Sequence, residues 1–205
     1  MRIEFDIRAL KAAAFAVQRD ETRYYLNGVC VEWNGHDLVC VATNGKTLIA
    51  IRPDFTIVSN EQVAPFQVII PADYIAALKV DKRVHFAALM LEDGKWFLDY
   101  FGLRQFIPVD GTFPAWRRVL PTKLSGVTAH YDPELIMGFQ KAAKVYGAKQ
   151  IVSIGHNGDE PAMIGFNCAE INGFGVAMPC RSEVPSLPPF WASVSMAVPT
   201  EAVAA

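Results

Sequence analysis

The 205-residue sequence has little of what usually announces a chemistry. Its four cysteines, Cys30, Cys40, Cys168 and Cys180, include no pair at C-x-x-C spacing, so neither a zinc ribbon nor a redox pair is indicated. Each lies in an apolar, strand-like run, where a thiol reads as a small buried hydrophobe. The histidines, His36, His85, His130 and His156, are dispersed, with no H-x-x-x-H or H-x-H pair to hold a metal. There is no G-x-S-x-G elbow. Asn44-Gly45-Lys46-Thr47 ends like a phosphate loop, but Cys40 stands where the first glycine belongs and the turn leads into a strand, not a helix. Adjacent carboxylates such as Glu92-Asp93 fall in turns. No catalytic residue, cofactor or metal is therefore expected, and the chain does not read as an enzyme. No apolar run reaches the roughly eighteen residues of a membrane helix, and residues 1–6 alternate with charge rather than forming a leader. A cytoplasmic protein without membrane contact is expected. The net charge of -2 does not announce a nucleic-acid binder, although opposed faces can cancel in such a sum.

What is present is core-forming material, at 52% hydrophobic and 20% charged. Residues 2–6 alternate like a strand, and Asp6 can cap a helix over 7–18 in which Ile7, Leu10, Ala14 and Val17 follow helical spacing. Strands are read at 24–33, 37–43 and 47–52, then a loop over 53–65 carrying a short apolar run. The order then restarts: a strand at 66–70, a helix from Pro71-Ala72-Asp73 to about Leu78, and strands at 84–89, 95–100 and 103–108. After an irregular segment over 110–121 comes a third pass. It has a strand at 127–131, a helix capped by Asp132-Pro133-Glu134 and ending at Gly147, and strands at 149–155, 162–168 and 174–178. The fold class is α+β: three β-α-β-β-β units with helices on one face and sheets on the other. One helix covers one face of such a unit, so each needs neighbours to bury the rest. Residues 182–205 are rich in Pro, Ala and Ser and read as a tail.

The helices and their ends carry Arg8, Lys11, Arg19, Lys79, Lys82, Arg83, Lys141, Lys144 and Lys149, while Asp6, Asp73, Asp132 and Glu134 sit at helix N-termini. Complementarity to the helix dipole explains this arrangement. So does one basic, helix-lined face that meets phosphates without reading bases.

Four motifs in order carry a resemblance. Arg23-Tyr24-Tyr25-Leu26-Asn27-Gly28 and Val41-Ala42-Thr43-Asn44-Gly45-Lys46-Thr47-Leu48 resemble the R-Y-Y-L-N-G and V-A-T-D-G-H-R-L of the middle domain of the bacterial β sliding clamp family. Phe113-Pro114-Ala115-Trp116-Arg117-Arg118-Val119-Leu120-Pro121 is similar to its F-P-D-Y-R-R-V-L-P interdomain segment, and Val176-Ala177-Met178-Pro179-Cys180-Arg181 to its V-V-M-P-M-R. The resemblance divides the chain into a clamp domain over 1–121 like the family's middle domain, a half domain over 122–181 like the end of its last domain, and the tail. It implies a DNA-clamp fold and a non-catalytic processivity factor of the replicative DNA polymerase. Such a factor encircles double-stranded DNA, without regard to sequence, as a homo-oligomer with the basic helices lining the hole. It also implies an outer pocket where polymerase, clamp-loader and repair proteins dock short peptides. Carried over, that pocket is Leu26, Thr43, Gly45, Lys46, Thr47, Leu48, Pro114, Arg118, Val119, Val176, Ala177, Met178, Pro179, Cys180 and Arg181. Lys46-Thr47 and Cys180 depart from the family pattern and bear on peptide preference. The alternative is an adaptor or decoy that keeps the pocket and never encircles DNA. Leu187-Pro188-Pro189-Phe190-Trp191 joins aliphatic and aromatic anchors and is expected to fold back into its own or a neighbour's pocket.

Overall fold

The computed structural model describes residues 1–17, 22–59, 63–81, 83–148 and 152–181, so the expected tail lies outside the described residues. Strand β1 (Arg2–Asp6) runs directly into helix α1 (Ile7–Ala13), which continues as a 3-10 turn over Ala14–Ala16. Asp6 is its N-cap and accepts the Arg8 amide at 2.9 Å, satisfying a donor that the helix cannot. Then come β2 (Gly28–Trp33), β3 (Leu38–Thr43), β4 (Thr47–Ile51) and a short β5 (Thr56–Val58). The second unit is β6 (Phe66–Pro71), α2 (Ala72–Ala77), β7 (Phe86–Glu92), β8 (Lys95–Asp99) and β9 (Leu103–Phe106). The third is α3 (Pro133–Val145), β10 (Ser153–Gly155), β11 (Ala162–Gly165) and β12 (Gly173–Ala177). No helix among the described residues is long and apolar enough to cross a membrane.

All strands pair antiparallel in two sheets, ordered β5-β1-β7-β8-β9 and β10-β11-β12-β4-β3-β2-β6. The first two units exchange their leading strands. β1 lies along β7, with Ile3 opposite Leu89, and β6 lies along β2, with Cys30 opposite Ile69. Each unit therefore completes the other's sheet. The third unit extends the larger, seven-stranded sheet instead, β12 pairing with β4 from Gly173↔Ile51 to Ala177↔Thr47.

The larger sheet is buried on both faces. Ile49 and Ile51 point towards α1 and α3 into a core with Phe5, Ile7, Leu10 and Phe139. Leu48 and Ala50, one position out of phase, point the other way into a second cluster under the crossover segment, with Phe113 and Trp116. Gly175 lets α3 sit down on β12, because a Cβ there would come within 2.6 Å of Phe139 Cδ1.

Three local readings change. The expected strand at 24–33 opens as a 3-10 turn over Tyr24–Leu26, closed by Leu26 N–H to Arg23 O at 2.8 Å, and becomes strand only at Gly28. The expected loop after β4 contains β5, whose Ile57 and Val58 pair with β1. The expected strand at 127–131 is reduced to one bridge, His130↔Cys180. In the other units this leading strand adds to a sister's sheet, and no such sheet adjoins it among the described residues.

Candidate functional site

The face of the larger sheet opposite the helices carries a mostly apolar slot of about 260 Å³. Its floor is Leu26, Leu48 and Val176, which belong to the second core cluster. One rim is the β3–β4 turn. There the Asn44 carboxamide oxygen accepts from the Lys46 amide at 2.9 Å, the Thr47 amide at 2.6 Å and the Thr47 hydroxyl at 3.0 Å, while Gly45 takes φ +83°. An Asx-type turn of this kind holds its backbone without help from the rest of the fold. The Thr43 hydroxyl donates to the Thr47 carbonyl at 2.7 Å and closes the turn's base. The opposite rim is the crossover segment, and the end is closed by Met178, whose amide donates to the Lys46 carbonyl at 2.8 Å.

Of the pocket residues carried over from the resemblance, Leu26, Thr43, Gly45, Lys46, Thr47, Leu48, Pro114, Val119, Val176 and Met178 line this one slot. Arg118, Ala177, Pro179, Cys180 and Arg181 are not among its lining residues. Ala177 points to the helix side because strand neighbours alternate, and Cys180 turns away to donate its amide to the His130 carbonyl at 2.7 Å. Arg23, Tyr25, Ala115 and Trp116 line the slot and were missed. All four fall inside the quoted motifs, so position within the motif was the available signal.

Trp116 is held from behind. Its indole N–H donates to Glu32 Oε2 at 3.2 Å, and the Arg117 guanidinium stacks 4.2 Å above its ring while pairing with Glu32 Oε1 at 2.6 Å. Gln67 adds a further donor to Glu32 at 3.2 Å. Burial alone would raise the Glu32 pKa. Hydrogen bonds from Arg117 and Trp116, the Arg117 charge and the Gln67 hydrogen bond outweigh it, holding the carboxyl below its ordinary value of 4.5. A depressed folded-state pKa contributes stability above the ordinary value and loses it as pH falls through the folded one. Glu32→Gln is therefore expected to be about 1 kcal/mol less stable than wild type at pH 7. That gap should close in acid below pH 4.5, as read from urea midpoints across pH.

The basic residues divide. The Arg8 side chain is 13% exposed, lies 2.6 Å from Asp6, reaches Asp54 at 3.5 Å and Glu170 at 3.3 Å, and covers the Tyr146 ring at 4.6 Å. Lys11 donates to the carbonyls of Ile75 at 2.8 Å and Leu78 at 2.9 Å, capping the end of α2, and burial lowers its pKa. Both serve the fold. Lys79, Arg83, Lys141 and Lys144 are exposed, while Arg19, Lys82 and Lys149 lie outside the described residues.

Burial keeps two thiols inert, first of all by desolvation. Cys30 is pushed up to about 12, and fully buried Cys40 is pushed higher. Cys168 is half-buried and Cys180 exposed, contrary to the expectation that all four are interior. No cluster of metal-ligating side chains occurs among the described residues.

Residues 4–98 match the family described as DNA polymerase III beta subunit, central domain. The beta sliding clamp of Pseudomonas aeruginosa is 34% identical over 125 residues, 56% of this chain and 31% of that protein. That of Vibrio cholerae is 28% identical over 138 residues, 65% of this chain and 36% of that protein. The chain thus spans about a third of the length of the curated relatives it matches. The solved DNA polymerase III beta subunit of Thermotoga maritima superposes with a TM-score of 0.68 at 13% identity, over 89% of this chain and 66% of that one. A Bartonella birtlesii sliding clamp solved with griselimycin bound gives a TM-score of 0.62 at 19% identity, over 88% and 66%. The two-sheet α+β architecture is thus that of the sliding clamps.

Proposed function

We propose that this chain, which is similar to part of the DNA polymerase III beta subunits, is a clamp-like replication protein that docks short partner peptides in its outer slot and encircles duplex DNA as a homo-oligomer. The observation that carries the docking half is the convergence of three distant segments, around Leu26 to Leu48, Pro114 to Val119 and Val176 to Met178, on one apolar slot beside a rigid turn. An apolar trough with fixed polar rims suits an extended peptide with aliphatic and aromatic anchors, and Met178 adapts to different side chains. Peptides from a polymerase or a clamp loader are the partners. The role requires no catalysis.

The DNA half rests on Lys79, Arg83, Lys141 and Lys144, which remain exposed and would meet phosphates in a salt-dependent way. One observation favours a second reading, an adaptor that binds docking peptides and never surrounds DNA. The α1 cations Arg8 and Lys11 are committed to Asp6, Asp54, Glu170 and the α2 carbonyls, so α1 offers no free charge at these positions. Retention on nicked circular DNA separates the two. A clamp stays on the circle and is lost when the DNA is linearised. A protein that binds docking peptides but is not retained on the circle is the adaptor.

A further inference from the structure

The first strand after the helix holds the same place in each unit: β2 in the first, β7 in the second and β10 in the third. Two of the three have a neighbour on their outer edge. β6 lies along β2 and turns Val68 and Ile70 into the helix-side core, and β1 lies along β7 and turns Ile3 and Phe5 into it. Among the described residues β10 pairs only with β11 and is the free edge of the seven-stranded sheet. Beside that edge, between β10 and α3, runs an apolar groove of about 390 Å³. Tyr131, Ile136, Met137, Val152 and Ile154 line it, and Met137 is 47% exposed. In the other two units the equivalent place is filled by an antiparallel strand with two apolar side chains turned to the helices.

We infer that residues 192–198 of the same chain add to β10 as that strand and close the groove. Ala192-Ser193-Val194-Ser195-Met196-Ala197-Val198 alternates, with Val194, Met196 and Val198 on one face and Ser193 and Ser195 on the other. The stretch has no proline, which would cost a ladder hydrogen bond, whereas Pro188 and Pro189 precede it and Pro199 follows it. Direction and reach both fit. β10 and β12 run antiparallel to β11, so both end on the same side of the sheet, and the His130↔Cys180 bridge holds the chain there just past β12. A strand antiparallel to β10 starts from that side. It lies three strand spacings from β12, about 14 Å, and residues 182–191 span up to about 33 Å when extended. The faces agree as well. Val152 and Ile154 turn to the helix side, so Ser153 turns to the other. With Val194 opposite Ile154, Met196 falls opposite Val152 and Ser195 opposite Ser153, hydroxyl beside hydroxyl. Leu187 to Trp191 then lie in the connector, and the outer slot stays open to partner peptides.

The inference concerns the third unit alone and stands whether or not the chain docks peptides or surrounds DNA. The test uses the full chain with Cys168→Ser and Cys180→Ser, which leaves the buried thiols Cys30 and Cys40. Opposed strand residues stand roughly 4.5–5.5 Å apart between Cα atoms, within disulfide reach. Ser153→Cys with Ser195→Cys is therefore expected to close a disulfide within one chain on mild oxidation, read by mass spectrometry of the digested protein. Ser153→Cys with Ser193→Cys, about 8 Å apart in this register, is expected to react at least tenfold more slowly. Met196→Asp is expected to lower the melting midpoint by about 4 °C or more, while Ser195→Asp, on the solvent side, leaves it unchanged. Equal rates for the two cysteine pairs, the behaviour of a loose tail, overturn the inference. So does a disulfide that forms only between two chains, which would give the groove to a second copy's tail. An unchanged midpoint for Met196→Asp overturns it too, and tighter peptide binding on deleting residues 182–205 would then place the tail in the outer slot.

Discussion

Asp6→Ala is expected to lower the free energy of unfolding by about 3–5 kcal/mol, a large part of what a chain of this size has in reserve. Asp6 has no exposed surface and does two jobs. It caps α1 by accepting the Arg8 amide at 2.9 Å, and it holds the Arg8 guanidinium through Nε at 2.9 Å and a terminal nitrogen at 2.6 Å. Alanine removes the cap, worth about 1 kcal/mol. It also leaves a cation whose side chain is 13% exposed with Asp54 and Glu170, at 39% and 62% exposure, as its remaining carboxylate partners, beside the Tyr146 ring. Removing one member of a buried pair costs more than the pair contributes, because the survivor stays desolvated. Asp6→Asn, which keeps an acceptor for the cap, should lose less. Asp6→Ala combined with Arg8→Met should recover most of the loss, since no orphan charge remains. Urea unfolding at pH 7 measures all three. A double variant no more stable than Asp6→Ala would mean that the cap and packing, not the orphan charge, carry the effect.

The same cluster shows what the sequence could and could not disclose. Helical spacing and the capping residues Asp6 and Asp132 were legible, as was the β-α-β-β-β order of the first two units, whereas the third begins at its helix with only the His130↔Cys180 bridge before it. Residue order says that a strand has an inner and an outer face, and it does not name the strand's neighbour. Hence the exchange of β1 and β6 between units was invisible, although Ile3 and Cys30 were placed in strands. Arg8 read as a free cation because its main partner, Asp6 at 2.6 Å, was read only as a helix cap, and its other partners lie 46 and 162 positions away at Asp54 and Glu170. Lys11 read the same way because backbone carbonyls, which end α2, leave no mark in composition. The slot fared better. Its lining comes from contiguous motifs, so the motif order brought most of it together. Of the members that do not line it, Ala177 lies in β12, where strand alternation turns it to the helix side, while Pro179, Cys180 and Arg181 follow the end of that strand.

Val119→Asp together with Met178→Asp is expected to weaken docking of a short aliphatic–aromatic peptide by about 30-fold or more, the equivalent of at least 2 kcal/mol. The choice of residues follows from exposure. Leu48 is 3% exposed on the slot floor, and a carboxylate there would disturb the sheet core as well as the slot. Val119, on the crossover rim, and Met178, at the closed end, are 46% and 39% exposed, so a charge there costs the fold little and falls on the surface the peptide must desolvate. Calorimetric titration reads the affinity, and an unchanged melting midpoint shows that the fold survived. Full affinity in a folded double variant would place docking elsewhere. Salt then separates the two halves of the proposed function in one protein. Apolar contact in the slot should hold as ionic strength rises, while attraction between Lys79, Arg83, Lys141, Lys144 and phosphate should fall linearly in logarithmic terms. Docking that weakens with salt as steeply as DNA retention would mean that the rim cation Lys46, rather than the apolar floor, carries the peptide.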